Sequence, residues 1–569
     1  MEPYRLKADT EGRPVVASPH RGQRLLRHPM LNKGTAFTHE ERAAMGLEGL
    51  LPEAVSASEE QVARAHRDVL RPPDPLERHL RLAELQEQDE ILFYRLLVDH
   101  IEELLPLVYT PAVGTACQEW SHVLRRPRGL WITPRHLGRV DEVLGNAPFE
   151  NVRLVVVTDN ERILGLGDLG AGGMGIPVGK LALYTAAAGI HPTWCLPVSL
   201  DVGTDNEMLL QDPLYLGRRH RRLRGPEYDA LVDEFVSGVR RRFPRALLQW
   251  EDFKKANAFR ILDRYRASIL SFNDDIQGTG AVAVAAILAG ARATGVPLHR
   301  QRAVILGAGA AGIGIARLLR STLRRAGVQG EALGAAIAVL DTGGLLVGDR
   351  DIAEAHKRDF AWPAALAERH GLGAGRPRDL EAVVRAVRPT VLVGVCGQAG
   401  MFTEPVIRTL AEGAERPLVL PMSNPTSKAE ARPADVIRWT EGRALVATGS
   451  PFEPVDFGGR RIRIGQSNNA FVFPGFGLGV LVSEAREVTD AMFAVAAERL
   501  AAEVRDEDLA AGSLFPSQSR IRAVQAEVAA AVVRQAREES VGRPIGDTAI
   551  PAAVRAAMWD PRHPEVVPA

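Results

Sequence analysis

The chain has 569 residues, of which 25% are charged and 46% hydrophobic, so we expect a globular protein of roughly three to four structural units. Seventy basic residues balance seventy acidic ones, which argues against nucleic acid or an anionic membrane as a partner. Cys117, Cys195 and Cys396 form no C-x-x-C pair, so a disulfide framework or thiolate zinc site is not expected. The N-terminus lacks an apolar leader core and no apolar run reaches the ~20 residues that span a bilayer, so we expect a cytoplasmic location.

The pattern along the chain predicts an α/β protein with helical regions at both ends. Stretches such as SEEQVARAHRDVLR show apolar residues at helical spacing. From about residue 150, short apolar runs alternate with helical segments, which predicts parallel sheets covered on both faces. We therefore expect a helical N-terminal region (1–125), a parallel-sheet catalytic domain (126–276, completed by 467–540), a Rossmann-type NAD(P)-binding domain (277–466) and a C-terminal tail (541–569).

The stretch GLGDLGAGGMGIPVGK contains a G-x-G-x-x-G match from Gly165 to Gly170 and ends at Lys180. Asp168 lies inside the match, where its charge would repel a pyrophosphate. The P-loop pattern also fails, because its first glycine and its final Ser/Thr are missing. We therefore expect a backbone-rich loop that presents Lys180 at the start of a helix.

Lys180 is unusual in a chain whose usual cation is arginine. A lysine can give up its proton near neutral pH where arginine cannot, and a helix N-terminus would favour the neutral amine. These features suit a general base. An ordinary surface lysine is equally compatible with the sequence.

Two predicted strands end in adjacent acids, Glu251 and Asp252 in QWEDF and Asp274 and Asp275 in SFNDDIQG. Ligands of open α/β sheets bind at the carboxyl ends of strands. Several carboxylates without His or Cys suit Mg²⁺ or Mn²⁺. Helix caps or solvated turns would explain either cluster alone, but two clusters favour a metal.

GAGAAG at Gly307, Gly309 and Gly312 has the full context of a dinucleotide-binding turn. The strand AVIL precedes it, the helix GIGIARLLR follows, and the next strand ends at Asp341. The pyrophosphate would sit on the helix N-terminus and the acid would bind ribose hydroxyls. A glycine-rich turn without a ligand is the alternative.

Amides stand in two further loops, Asn424 in SNPT and Asn468 and Asn469 in GQSNNAF. They could bind a small carboxylate substrate or make Asx turns, and the residues alone favour turns.

Taken in order, YTPAVGTACQEW, ILGLGDLGAGGMGIPVGKL, LDVGTDN, QWEDF, FNDDIQGTG, SNPT and GQSNN resemble the long-chain malic enzymes, over about residues 28 to 540. The resemblance implies oxidative decarboxylation of L-malate to pyruvate and CO₂. It also implies reduction of NAD⁺ or NADP⁺, a requirement for Mg²⁺ or Mn²⁺, and a homotetramer built as a dimer of dimers.

The same resemblance implies roles for matching residues. Glu251, Asp252 and Asp275 would be the metal ligands. Lys180 would be the base for the C2 hydroxyl, and Tyr109 the acid that protonates the enolate carbon.

Further roles concern the substrate and the cofactor. Arg162 would pair with one malate carboxylate. Asn424, also near the cofactor, and Asn469 with its neighbour Asn468 would hold the other end. Asp274 would support Lys180.

Two features depart from family patterns, the activator site and the choice of cofactor. Arg64 matches one arginine of a fumarate activator site, but Gln88 stands where the second should be, so we do not expect fumarate activation. Asp341 alone favours NAD⁺, whereas Lys357 matches the lysine that NADP-preferring members use against the 2′-phosphate. We expect NADP⁺ on this basis.

Two other functions remain open from the residues. An amino- or hydroxyacid dehydrogenase explains the Rossmann half and one lysine, but leaves three acids without a task. A nicotinamide-sensing regulatory module explains GAGAAG alone.

Overall fold

The computed structural model of the chain describes residues 5–8, 14–163 and 165–569. The prediction that residues 1–16 contain no leader therefore falls largely outside the described residues. The chain divides into two compact units. Unit 1 contains Met1–Ile163, Asp168–Ala246 and Ala556–Ala569, and unit 2 contains Leu164–Gly167 and Leu247–Arg555.

The described strands are β1 (Arg5–Ala8), β2 (Pro14–Ser18), β3 (Leu130–Ile132), β4 (Leu154–Thr158), β5 (Cys195–Leu200), β6 (Leu247–Trp250), β7 (Ser271–Asn273), β8 (Ala303–Leu306), β9 (Ile337–Asp341), β10 (Gly344–Leu345), β11 (Val391–Gly394), β12 (Leu418–Pro421), β13 (Leu445–Thr448), β14 (Val455–Phe457), β15 (Arg460–Ile462), β16 (Gly465–Gln466) and β17 (Glu565–Pro568).

The described helices are α1 (Gln23–Leu26), α2 (His39–Met45), α3 (Ser58–Leu70), α4 (Pro75–Gln88), α5 (Glu90–Asp99), α6 (Ile101–Val108), α7 (Ala112–Gln118), α8 (Trp120–Val123), α9 (Val140–Leu144), α10 (Gly175–Ala188), α11 (Glu207–Gln211), α12 (Pro226–Arg242), α13 (Lys255–Tyr265), α14 (Thr279–Thr294), α15 (Ala310–Arg325), α16 (Gly330–Ala335), α17 (Ala355–Arg358), α18 (Ala364–Arg369), α19 (Leu380–Val387), α20 (Glu404–Gly413), α21 (Pro433–Trp439), α22 (Phe473–Ser483), α23 (Asp490–Ala502), α24 (Asp506–Ala510), α25 (Ile521–Glu538) and α26 (Ile550–Ala557).

In unit 1, β3, β5 and β4 run parallel in that order. β4 reads LVVVT and is buried at every position, as expected of a parallel strand covered on both faces. The buried helix α10 packs against β4 and β5. The predicted combination of buried parallel strands and helices is confirmed here.

The N-terminal part of unit 1 is mainly helical, as predicted, but it also contains strands that the helical periodicity does not predict. β2 pairs antiparallel with β1 and parallel with β17, with Val16 opposite Val566. The C-terminal tail also places Trp559 edge-on against Tyr94. A strand whose partner lies at the other end of the chain leaves little local signal.

In unit 2 the main sheet has the order β10-β9-β8-β11-β12-β13-β16. All neighbours are parallel except β10 and β9. β6 and β7 form a further parallel pair in this unit. The predicted Rossmann-type sheet is confirmed, and the carboxyl ends of β8, β11 and β12 lie along one edge, where such sheets bind ligands.

One stretch, Asp274–Thr294, is long and apolar enough to cross a membrane by length and composition. The expectation that no apolar run reaches this length is therefore wrong. The stretch combines a π-helical turn at Asp274–Gly278 with α14. Its most apolar window is 67% buried within the structure, as in the core helix of a globular protein.

Candidate active site

Unit 1 brings Lys180 and Tyr109 together. Lys180 lies in the second turn of α10, and Tyr109 directly follows α6 as its C-terminal cap. The Lys180 Nζ atom lies 5.4 Å from the centroid of the Tyr109 ring. Lys180 is 1% exposed and Tyr109 is 6% exposed. A neutral amine can accept one proton from a bound substrate, and a neighbouring phenol can donate another to it.

The expectation that Lys180 lies at the start of a helix is wrong. α10 begins at Gly175, after a 3₁₀ turn at Gly170–Met174. Glycines are unfavourable inside helices, which is why the sequence suggests a later start. Packing overrides this preference, since a Cβ atom at Gly179 would lie 2.9 Å from the carbonyl oxygen of Val108. The helix dipole acts mainly in the first turn, so it does not act on Lys180 as predicted.

Arg222 holds the acids that surround the glycine-rich loop. Its side chain is buried and lies 3.3 Å from Asp168 and 3.5 Å from Asp159. Glu161 lies 3.7 Å from the same guanidinium, and Thr204 donates to Asp168 at 2.9 Å. Burial alone would lower the pKa of Arg222, but the surrounding carboxylates raise it above its ordinary value. Asp168 therefore belongs to a structural ion network.

Three carboxylates converge in unit 2. Glu251 and Asp252 follow β6, and Asp275 follows the neighbouring strand β7. One oxygen of each lies within 4.8 Å of the others. The Asp252 N–H donates to Asp275 Oδ2 at 2.8 Å, and Asp252 has a left-handed backbone with φ of 57°. A non-glycine residue in this region is held there by its surroundings, often at a functional site.

The donor set of this cluster fits a hard divalent cation. It consists only of carboxylate oxygens, and Glu251 and Asp252 are buried. Carboxylates this close repel one another unless a cation or protons neutralise them. Gln249 Nε2 donates to Glu251 Oε2 at 2.7 Å and orients that carboxylate. Mg²⁺ and Mn²⁺ prefer such oxygen ligands.

Asp274 is fully buried beside the cluster and contacts Asn469. Asn469 Nδ2 donates to Asp274 Oδ2 at 3.0 Å and to Thr279 Oγ1 at 3.1 Å. A side chain at Gly278 would collide with the Asp274 carboxylate. Asn468 makes an Asx turn, because its Oδ1 accepts from the N–H of the residue two positions later at 2.9 Å.

GAGAAG forms the turn between β8 and α15. Gly307 follows β8 with φ of 119°, a conformation that favours glycine. A Cβ atom at Gly309 would have no atom within 4 Å, so this backbone is open to a ligand. A Cβ atom at Gly312 would collide with the carbonyl oxygen of Gly307. A dinucleotide-binding turn needs these three features.

Asp341 ends β9 and accepts from Arg350 at 2.6 Å and from Lys357 at 3.0 Å. Lys357 also lies 2.9 Å from Glu354, which lies 2.6 Å from Lys255. Burial alone would raise the pKa of Asp341, but these hydrogen bonds lower it below its ordinary value. Hydrogen bonds from Lys255 and Lys357 likewise lower the pKa of Glu354 to about 2. Two carboxylates therefore balance the charge of Lys357.

Asn424 follows β12, and its Oδ1 accepts from Ser450 Oγ at 2.6 Å. Glu430, which is fully buried, accepts from the N–H of Cys396 at 3.0 Å and from Ser423 Oγ. Glu430 thus connects the carboxyl ends of β11 and β12 beside Asn424.

The predicted site residues fall into both units. Unit 1 contains the predicted base, the predicted acid and the predicted carboxylate-binding arginine: Lys180, Tyr109 and Arg162. Arg162 is exposed at a turn, whereas the other two are buried. Unit 2 contains the metal ligands, their neighbour, the asparagines and the dinucleotide residues: Glu251, Asp252, Asp275, Asp274, Asn424, Asn468, Asn469, Gly307, Gly309, Gly312, Asp341 and Lys357.

Four supporting residues escaped sequence reasoning: Gln249, Arg222, Arg350 and Glu430. Gln249 could have been found, because it lies two residues before Glu251 and faces the same side of the strand. Arg222 stands in RRHRRLRG, where a charge run suggests a solvated surface. Arg350 and Glu430 have no distinctive local pattern.

Comparison with known proteins places this geometry in a family. The family profile "Malic enzyme, NAD binding domain" matches residues 276–537, and "Malic enzyme, N-terminal domain" matches residues 86–266. The NAD-dependent malic enzyme of Proteus mirabilis is 45% identical over 563 residues, covering 98% of this chain and 99% of that protein. That of Pectobacterium atrosepticum is 46% identical over 563 residues, covering 98% and 99% respectively.

The fold is also found among solved structures. The crystal structure of the Entamoeba histolytica malic enzyme aligns with a TM-score of 0.57 at 22% identity, covering 91% of each chain. This likeness supports the fold, while the near full-length sequence identity to the bacterial proteins establishes the kinship. The chain therefore belongs to the malic enzyme family.

Proposed function

We propose that the protein converts L-malate to pyruvate and CO₂ and reduces NAD⁺, with Mg²⁺ or Mn²⁺ bound at Glu251, Asp252 and Asp275. The convergence of these carboxylates is the observation that carries the proposal, since malate oxidation at C2 and loss of CO₂ both build charge on an oxygen. Neither a simple dehydrogenase nor a nicotinamide sensor would need this carboxylate cluster.

Two residues of unit 1 move protons in the proposed reaction. Lys180 accepts the proton of the malate C2 hydroxyl as hydride leaves C2 for NAD⁺. After the C3–C4 bond breaks and CO₂ leaves, Tyr109 donates its hydroxyl proton to C3 of the enolate. The 5.4 Å separation of Lys180 Nζ and the Tyr109 ring supports this assignment, because one substrate can contact both.

The remaining assignments concern charge and orientation. A divalent cation held by the three carboxylates would polarise the C2 oxygen and stabilise the enolate. Arg162 and Asn424 would bind the two carboxylate ends of malate. Asn469 orients Asp274 through their 3.0 Å hydrogen bond, and Asp274 would support the base.

For the cofactor we propose NAD⁺ rather than NADP⁺, because the expectation of NADP⁺ that rests on Lys357 is not supported by the relatives. The bacterial relatives at 45–46% identity are NAD-dependent malic enzymes by name. Asp341 carries a negative charge where a 2′-phosphate would approach, and Lys357 is already paired with Asp341 and Glu354. Electrostatic repulsion should therefore disfavour the phosphate. A homotetrameric assembly and a cytoplasmic location also stay predictions.

The reaction is tested by following NADH formation from L-malate with Mn²⁺, in parallel with NADP⁺, with an EDTA control and a separate pyruvate assay. We expect metal-dependent, stoichiometric NADH and pyruvate, and kcat/KM at least about tenfold higher with NAD⁺ than with NADP⁺. NADH without pyruvate would favour a simple dehydrogenase. A preference for NADP⁺ would show that Lys357 leaves its carboxylates for the phosphate.

Variants at Lys180 test the proposed base. Lys180→Met should lower kcat by 100-fold or more, on the order of a lost general base, while NADH binding by fluorescence stays close to that of the parent. Lys180→Arg is the matched control for charge, and it should be equally inactive because arginine keeps its proton. Turnover retained by either folded variant would remove Lys180 from this role.

A further inference from the structure

Unit 1 contains a second group of metal-compatible side chains that the malate reaction does not use. The group consists of His66, His100 and Glu103, whose donor atoms all lie within 4.8 Å of one another. His66 Nε2 lies 2.7 Å from Glu103 Oε2. The two imidazole rings stack with centroids 4.0 Å apart and an interplanar angle of 22°. Two imidazoles and one carboxylate therefore lie together between α3 and the start of α6, and one of the stacked rings has to turn before both ring nitrogens face a common ion.

The chemistry of these donors differs from that of the carboxylate cluster in unit 2. Imidazole nitrogen suits zinc, copper and nickel, whereas all-oxygen sets suit magnesium and manganese. Two His and one Glu with an open fourth position is a known zinc donor set. Around a tetrahedral zinc ion with bonds of about 2 Å, donor atoms lie about 3.3 Å apart, so the His66–Glu103 pair has to open by about half an ångström, and any donor pair near the 4.8 Å limit of this group has to close.

The surroundings allow an ion to enter. His66 and His100 line an open groove of about 790 Å³ together with Glu59 and Asp99. The His66 side chain is 27% exposed and that of Glu103 is 51% exposed, so water and metal reach the donors without unfolding. The groove also contains two arginines, whose charges the two groove acids offset.

We propose that His66, His100 and Glu103 bind one zinc-class transition-metal ion at a site separate from the carboxylate cluster. His66 belongs to α3, while His100 caps α6 and Glu103 lies in its first turn. The ion would therefore fasten α6 to α3. α6 ends directly before Tyr109, so the site would fix the element that carries the proposed acid.

The test counts zinc bound by the full-length protein after equilibrium dialysis against Zn²⁺, with Mg²⁺ present throughout. The carboxylate cluster is identical in all variants, so the difference between them isolates the new site. We expect the double variant His66→Gln/His100→Gln to bind one zinc ion fewer per chain than the parent. The single variant Glu103→Gln should weaken this binding by about tenfold or more, because one ligand is lost.

His122→Gln is the matched control. His122 also pairs with a carboxylate, Asp212 at 3.0 Å, but it belongs to no metal-compatible group among the described residues. This variant should keep the full zinc count. Cu²⁺ bound to the parent should show coupling to two imidazole nitrogens in electron paramagnetic resonance, which the double variant loses. Equal zinc counts in parent and double variant, with both folded by circular dichroism, would overturn the proposal.

Discussion

Two copies of the pattern G-x-G-x-x-G, at Gly165–Gly170 and at Gly307–Gly312, differ in what surrounds them; a further match at Gly170–Gly175 overlaps the first copy. At Gly307–Gly312 a strand ends directly before the first glycine and α15 starts at Ala310. At Gly165–Gly170, β4 ends several residues earlier, at Thr158, and α10 starts later, at Gly175. Of these two copies, only the second lies directly between a strand and the N-terminus of a long helix, where an anion binds.

The acids of the two copies differ as well. Asp168 lies within the first copy and is bound by Arg222 and Thr204. Asp341 lies at the end of the strand after the second copy, where ribose hydroxyls are expected. The glycines between Gly170 and Gly179 serve packing: a side chain at Gly172, for example, would collide with the carbonyl oxygen of Cys117. The positions of the glycines relative to the preceding strand and the following helix, rather than the G-x-G-x-x-G pattern alone, therefore decide whether a copy can bind a dinucleotide.

The largest expected effect on cofactor binding tests the open backbone of the second copy. Gly309→Val should weaken NADH binding on the order of 100-fold, because the side chain fills the space that a pyrophosphate needs. The fold should survive at a cost of about 1 kcal/mol for a poorer helix cap. Fluorescence titration with NADH measures the affinity.

Gly334→Val is its control, since Gly334 also has no atom near its Cβ position but lies in α16. Its NADH affinity should match that of the parent. Unchanged affinity in Gly309→Val would show that the open space at this turn does not hold the cofactor.

The next effect tests the ion network of the first copy. Arg222→Met leaves Asp159, Glu161 and Asp168 without their shared cation, which should lower the free energy of unfolding by about 3–5 kcal/mol. NADH affinity of the folded protein should stay unchanged. Urea unfolding followed by fluorescence measures the stability.

Arg221→Met is the neighbouring control. Arg221 is 60% exposed and pairs with Glu207 at the surface, so its loss should cost about 1 kcal/mol or less. Equal losses in the two variants would contradict a structural role for the buried network. Reduced NADH affinity in Arg222→Met alone would connect the first copy to the cofactor after all.

A smaller loss of stability is expected when a side chain is added at one of the closely packed glycines between Gly170 and Gly179. Gly172→Ala should destabilise the protein by about 1–3 kcal/mol, because its methyl group meets backbone that cannot rotate away. NADH affinity should not change. Gly546→Ala, at an exposed position with no atom near its Cβ, should be neutral. Thermal melting compares the two variants. Equal melting temperatures would show that a methyl group fits at Gly172 in spite of the short distance to the Cys117 carbonyl oxygen.

Sequence reasoning succeeded where strand and motif lie close together. β8, the glycines and α15 are contiguous, and the acids of QWEDF and FNDD directly follow β6 and β7, so local patterns contain the information. It failed where the partner is remote. Arg222 lies 54 residues from Asp168 and 63 from Asp159, and nothing in RRHRRLRG indicates burial. The sequence predicts too late a start for α10, because glycines favour loops over helices, whereas close packing against α6 requires a glycine inside this helix.

The smallest expected effect is that of pH on NADH affinity, which depends on Asp341 at the end of the strand after the second copy. Hydrogen bonds from Arg350 and Lys357 outweigh burial and lower the pKa of Asp341, so its carboxylate stays ionised at every pH above its ordinary value. The stability that this lowered pKa confers is present above the ordinary pKa and is lost only as pH falls through the folded-state value. NADH affinity should therefore stay within about twofold between about pH 5 and pH 8.

Asp341→Asn sharpens this test, because the amide cannot ionise. It should weaken NADH binding by about tenfold at each pH, through the loss of a charged acceptor for ribose hydroxyls. Its pH profile should stay as flat as that of the parent. An affinity that falls toward pH 5 in the parent but not in Asp341→Asn would mean that Asp341 gains a proton in that range. Arg350 and Lys357 would then not keep Asp341 ionised, and NADH affinity would depend on the protonation of Asp341 in spite of its two ion pairs.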